Sequence, residues 1–286
     1  MNKLIKYFNP AELISFAYIL ITAVYIGCFS CKIDNAASLL LNRAIIAGLF
    51  VLIVFISIKK DNKLLNVIRH VFPLSLTIYW YPETYYLNEC IFSNLDHLFI
   101  HADEWLFGCQ PAFEFSKHMP YKWLSELMSF AYFSYFLMIN FIGFYFYFAK
   151  NKNALKILFI VLCSFLIYYV LFIILPVVGP QFYFAEPQNQ VPDGYWVRKL
   201  LVFIQTSGEK PTGAFPSSHV GVSLIMSILV YKHARRFFPY FFALVILLIF
   251  STVYIKAHYL IDVIGGFVSA PIIYLIGKKL WGKFAE

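Results

Sequence analysis

Charge is the commodity this sequence has least of. Asp, Glu, Lys and Arg make up 13% of its 286 residues, about half the share of a soluble domain. With 61% hydrophobic residues, no water-exposed globule of this size could cover its apolar surface, so the composition excludes a soluble fold and calls for a bilayer. Internal repeats and low-complexity tracts are also missing. The expectation is therefore one polytopic membrane domain over 1–286, with N-terminal helices and an outer loop in 1–122 and a catalytic helical core in 123–286.

Other absences narrow the chemistry. There is no HExxH, which argues against an intramembrane metalloprotease. Cysteine is sparse, with five in all. Cys163 sits inside an apolar run and reads as packing. Cys28 and Cys31, in "CFSC", have the spacing of a redox pair, but no βαβ pattern surrounds them. Those two, and the loop residues Cys90 and Cys109, could pair in an oxidising compartment; unpaired thiols are the plainer reading. No metal and no cofactor are expected. The first apolar run lacks a small-residue cleavage site, so it reads as a retained anchor.

What the sequence does have is long apolar runs. Stretches able to cross about 30 Å of hydrocarbon lie at Leu13–Phe29, Leu39–Ile58, Leu127–Ala149, Ile157–Val178, Phe237–Ile255 and Tyr259–Ile276. Val71–Leu87, interrupted by Pro73, Pro82 and Glu83, and the short Pro216–Tyr231 bring the count to about eight. The net charge of +8 is better explained by basic residues flanking spans than by nucleic acid. With the N-terminus inside, fifteen of the 23 basic residues fall on the inner side, including Lys3, Lys6, Lys59, Lys60, Lys63, Arg69 and Lys150. Of the acids, only Glu12, Asp61 and Glu286 do not lie at or beyond outer ends of spans. The positive-inside rule thus predicts both termini in the cytoplasm.

That orientation gathers three features on the outer face: the loop Glu89–Lys122, the loop Gly179–Phe215 and the turn "IKAHYL". In "KAHYLIDVIGG", His258 and Asp262 are four apart, hence one turn apart if helical. A carboxylate there can fix the imidazole tautomer and leave the other nitrogen nucleophilic. In "TGAFPSSHVG", Pro216 suits the first turn of a helix. The following N–H groups and the helix dipole form an anion site, Ser217 and Ser218 add hydroxyls, and His219 stands ready as a general acid. Read singly, the first could be a self-satisfied pair and the second a plain cap; together they suit phosphoryl transfer, one histidine attacking phosphorus and the other protonating the leaving oxygen.

"GAFPSSH" with "HYLID" resembles the second and third signature motifs of the phosphatidic acid phosphatase type 2 superfamily. The resemblance runs from about Pro176 to Gly266 and implies an all-α integral membrane protein with a six-helix core inside the roughly eight spans. It implies that His219 is the acid, that His258 becomes phosphorylated, that Asp262 orients it, and that Ser217 binds phosphate. Phosphatases of that family usually carry a Lys and Arg-Pro first motif and an arginine six residues before the nucleophile. Here "LPVVGPQFYF" and Thr252 stand in those places. In these respects the chain is similar to inositol phosphorylceramide synthases and, more loosely, sphingomyelin synthases.

A phosphodiester carries one charge where a monoester carries nearly two, so it needs fewer cations. Lys256 and Lys210 are the phosphate-binding candidates, with Arg198 and Lys199 behind them, although each could be an ordinary interfacial charge. The expected partners are membrane lipids, and the oligomeric state is left open. In the other outer loop His97 and His101 lie i, i+4 beside Asp96, Asp103 and Glu104, so a zinc site is conceivable. The interleaved Leu98, Phe99, Ala102, Trp105 and Leu106 favour an amphipathic interfacial helix, a lid or a ramp for lipid. The leading expectation is a lipid phosphotransferase, then a lipid phosphate phosphatase with the same residues. A proton-coupled transporter is a remote third, because its polar groups would sit at mid-membrane within repeats.

Overall fold

A computed structural model describes residues 7–60, 62–149 and 151–285; Lys3, Lys6, Asp61, Lys150 and Glu286 lie outside them. The described residues are all helix and loop, without strands. In chain order they are α1 (Pro10–Cys28), α2 (Ala36–Lys59), α3 (Lys63–Glu83), α4 (Asp96–Phe107), α5 (Pro111–His118), α6 (Lys122–Phe148), α7 (Ala154–Ile174), α8 (Pro180–Tyr183), α9 (Trp196–Gly208), α10 (Ser218–His233), α11 (Phe238–Tyr254) and α12 (Leu260–Ala285).

Six of these, α1, α2, α6, α7, α11 and α12, are long and apolar enough to cross a membrane, with α11 extended back to Arg235. The other two expected spans fall short for different reasons. Helix α10 has only 16 residues, but nearly all of its middle is buried, including Val222, Ile225, Met226 and Leu229, so it is sheathed by protein rather than lipid. Helix α3 covers only 71–83 of its expected run, and the residues before that stretch, from the start capped by the Asn62 side chain, include Lys63, Arg69 and His70.

Helix α7 is the centre of the bundle. Ile157, Phe159, Val161, Tyr168 and Phe172 are completely buried, and α3, α10 and α12 all pack on it. A helix apolar on every side belongs at such a position. The peripheral α2 is somewhat less apolar and turns Leu41, Ile45, Leu52 and Phe55 outward, which only lipid can cover.

Charged groups pin the N-terminal helices at both ends. At one end Glu12, in the capping box of α1, pairs with Arg69 of α3 at 2.8 Å. At the other, Arg43 of α2 grips both oxygens of Glu83 of α3 at 3.1 and 2.8 Å and also donates to Thr22 of α1. Both members of the second pair are almost wholly buried. Removing one partner strands the other charge in a medium that cannot solvate it, which costs about 3–5 kcal/mol. Arg43→Ala should therefore lower the thermal midpoint in detergent far more than Arg43→Met combined with Glu83→Leu, which removes both charges.

Candidate functional site

All loops that carry chemistry meet at the end of the bundle where α10 and α12 begin, the site end. Gly213, at φ 80°, turns the chain so that the Ala214 N–H donates to the Val177 carbonyl at 3.0 Å. This leaves the Ala214 carbonyl facing the third motif, where it accepts a hydrogen bond from His258 Nδ1 at 2.8 Å. A second link runs from the Ser217 N–H to the Asp262 carbonyl at 3.1 Å. Helices α10 and α12 come this close because residue 266 is glycine: a Cβ there would stand 2.8 Å from both the Ser217 carbonyl and the Val220 side chain.

The two histidines are brought together, with His258 Nε2 at 3.3 Å from His219 Nδ1. A carbonyl can only accept, so the bond to Ala214 requires the proton of neutral His258 on Nδ1 and leaves the Nε2 lone pair toward His219. His219 Nδ1 is then the donor between them, and its ring is held between Tyr132 and Tyr135 at centroid distances of 4.6 and 4.5 Å. Burial pushes the His258 imidazole down to about 4.

The expected helical His258–Asp262 face needs correcting. Helix α12 starts at Leu260, so His258 lies in the turn before it, a turn that includes the left-handed Lys256 at φ 65°. Asp262 reaches back to cap the Tyr259 N–H at 2.8 Å. One of its oxygens is 3.6 Å from His258 Nδ1, and Oδ1 is buried without a hydrogen-bond partner. The ring is thus oriented by the Ala214 carbonyl, with the carboxylate beside it. Pro216 is displaced too: it precedes the cap instead of opening the helix. The N-cap is the fully buried Ser217, whose Oγ accepts the Val220 N–H at 3.4 Å. Ser218 follows as the first residue of α10, and the first-turn N–H groups of Ser218 and His219 have no carbonyl a turn behind them inside the helix.

The proposed cations are not brought to this pair. Lys256 donates to the carbonyls of Gln188 and Gln190 and lies over the Phe113 ring; burial lowers its pKa. Lys210 is exposed, as is Lys199. Among the described residues no hydrogen bond joins Lys210 or Lys256 to His219, His258, Ser217 or Ser218. Arg198 instead lines a cavity of about 500 Å³ with Gln181, Gln190, Asp193 and Gln205, bounded by Ile255 just ahead of the turn that carries His258. Thr252 is fully buried and spends its hydroxyl on the Ile249 carbonyl, while its own carbonyl accepts the His258 N–H at 3.1 Å.

Three acidic residues matter here in ways the sequence reading missed. Asp103 accepts the N–H groups of Leu260 and Ile261 at 2.9 and 2.8 Å, capping α12 from another helix. Asp96 accepts the Val178 and Gly179 N–H groups and the Tyr259 hydroxyl. Glu209 takes hydrogen bonds from Gln181, Gln205 and Tyr132, and burial raises its pKa. The seven-residue spacing of Asp96 and Asp103 on α4 was the available signal. The conceivable zinc site with His97 and His101 does not form: those histidines are exposed on the helix's other side, and no cluster of three or more such ligands is present among the described residues. All five cysteines are free.

A family model described as the PAP2 superfamily matches residues 97–276, from α4 into α12. The chain belongs to the PAP2 superfamily. No curated protein and no solved structure matches it. Membership of the PAP2 superfamily indicates a membrane enzyme of the phosphatase or phosphotransferase type acting on lipids, and the matched stretch contains both histidines and the loop Gly179–Phe215.

The buried His258 gives a pH signature. An unfolded histidine titrates near 6.5, so the stability gained by burying the neutral ring is complete above about pH 6.5 and declines as the pH falls toward 4. In His258→Gln this component is absent. Its thermal midpoint should fall less than that of the unaltered protein between about pH 6.5 and 4.

Proposed function

We propose that the protein is a lipid phosphotransferase that moves a phosphoryl or phospho-head group through a phosphohistidine at His258. The observation carrying this reading is the 3.3 Å approach of His258 Nε2 to His219 Nδ1 at the N-terminus of α10. In the first step the Nε2 lone pair of His258 attacks phosphorus. The bond from phosphorus to the leaving oxygen breaks, and that oxygen takes a proton from His219, which enters the step as the imidazolium favoured by the bound anion and leaves it as the neutral ring. In the second step His219 removes a proton from the incoming hydroxyl, whose oxygen displaces His258. Ser217, Ser218 and the first N–H groups of α10 cradle the equatorial oxygens, and Asp262 stabilises the charge on the modified ring.

Transfer is favoured over hydrolysis, and a diester over a monoester, by the poverty of cations. Thr252 stands where an arginine would neutralise a dianion, and Lys256 is engaged with backbone carbonyls. The polar cavity beside the turn offers room for a head group. We place the site on the periplasmic or lumenal side, because Lys59, Lys63, Arg69, Lys152, Lys156, Lys232, Arg235, Arg236, Lys278, Lys279 and Lys283 gather at the opposite end of the helices, and basic ends stay in the cytoplasm.

Purified protein supplied with phosphatidylinositol plus ceramide should yield a new phospholipid, while phosphatidic acid should release little phosphate. Phosphate release without a new phospholipid would favour the phosphatase reading. In either case His258→Ala should reduce turnover by roughly a thousandfold or more and abolish the acid-labile phosphoenzyme. Turnover retained in that variant would contradict the mechanism.

A further inference from the structure

Helix α4 presents two unlike faces. One carries Asp96 and Asp103, both fully buried, with Phe99 and Ile100 packed between them against the Val177, Ala214 and Tyr259 cluster. The Phe99 ring lies 4.6 Å from Phe215 and 6.5 Å from Tyr259. Through its carboxylates this face holds five groups: the N–H of Val178, Gly179, Leu260 and Ile261, and the Tyr259 hydroxyl. All five lie either at residues 259–261, directly after His258, or in the segment 177–179 that pairs with Ala214 through Val177.

The opposite face carries Leu98 and Trp105, seven residues apart and therefore on one line of the helix. They are 53% and 84% exposed, an extreme value for tryptophan in water. The surroundings identify what covers them. The segment leading into α4 from the site end of α3 exposes Tyr85, Tyr86 and Phe92, and α6 starts at the same end with Tyr121 and Trp123 exposed. Tyrosine and tryptophan at the ends of spans mark the depth of the lipid headgroups. In the chain, α4 lies between these two aromatic segments, after the site end of α3 and before the start of α6.

We propose that α4 is a membrane-interface contact coupled to the catalytic turn: Leu98 and Trp105 insert into the lipid headgroup boundary, and Asp96 and Asp103 convey that docking to residues 258–262. Amphipathic helices bind such boundaries through apolar side chains on one face. Docking restrains α4 in the position from which Asp103 caps α12, so lipid contact and an ordered His258 turn favour one another. This coupling is independent of which phosphoester is processed and of whether water or an alcohol is the acceptor.

The test uses the full-length protein in phosphatidylcholine nanodiscs. With lipids brominated near the carbonyl end of the acyl chain, the emission lost on replacing Trp105 by Phe should be largely quenched beforehand. Emission from Trp105 that bromine spares and aqueous iodide quenches would overturn the docking. Amide exchange then reads the coupling. Leu98→Ser with Trp105→Ser alters only exposed side chains, so the bundle should stay folded. In that variant the peptide carrying Leu260 and Ile261 should exchange roughly fivefold faster in nanodiscs, as it should in Asp103→Asn. Exchange at the unaltered rate in the double variant would overturn the coupling.

Discussion

The site depends on one hydrogen bond, from His258 Nδ1 to the carbonyl of Ala214. It joins the second motif to the third across 44 residues, fixes which nitrogen of His258 carries the proton, and aims the other at His219. Everything around it keeps that carbonyl and that ring in register. Gly213 turns the loop, Val177 pairs with Ala214, and Gly266 lets α10 and α12 close. The bond is short and buried, where a carbonyl without its donor would be costly. The backbone of the second motif therefore sets the tautomer of the histidine in the third.

The charge distribution follows the same economy. Around the histidine pair lie carboxylates, phenols and amides, while the lysines nearest in sequence are engaged elsewhere or exposed. On the proposed reading, such a site takes a substrate with a single negative charge. The carboxylates are mostly spent on backbone N–H groups. Asp96, Asp103 and Asp262 together order the Val178–Gly179 and Tyr259–Ile261 backbone, so acidic residues here act as fasteners for irregular chain at a membrane surface.

Much of this was legible in the sequence. The helical class and six of the membrane spans followed from apolar runs, because helices facing lipid need continuous hydrophobicity. The association of "FPSSH" with "HYLID" followed from their chemistry and their shared end of the bundle. The parts that escaped depend on direction rather than composition. No pattern announces that the Ala214 carbonyl, a backbone group common to every residue, will take the place expected for the Asp262 side chain. Nor does spacing tell which face of α4 is buried: the sequence favours an interfacial helix there without showing that Asp96 and Asp103 face inward while His97 and His101 face outward. Lys256 was misplaced for a similar reason, since a left-handed turn sends its side chain toward Gln188 and Gln190.

The direct measurement is the protonation of the two His258 nitrogens in the ligand-free protein, read by ¹⁵N resonance in selectively labelled samples and assigned by loss of the signals in His258→Gln. At pH 7 the account requires a neutral ring with its proton on Nδ1 and a bare Nε2. An imidazolium at that pH, or a proton on Nε2 instead, would contradict it.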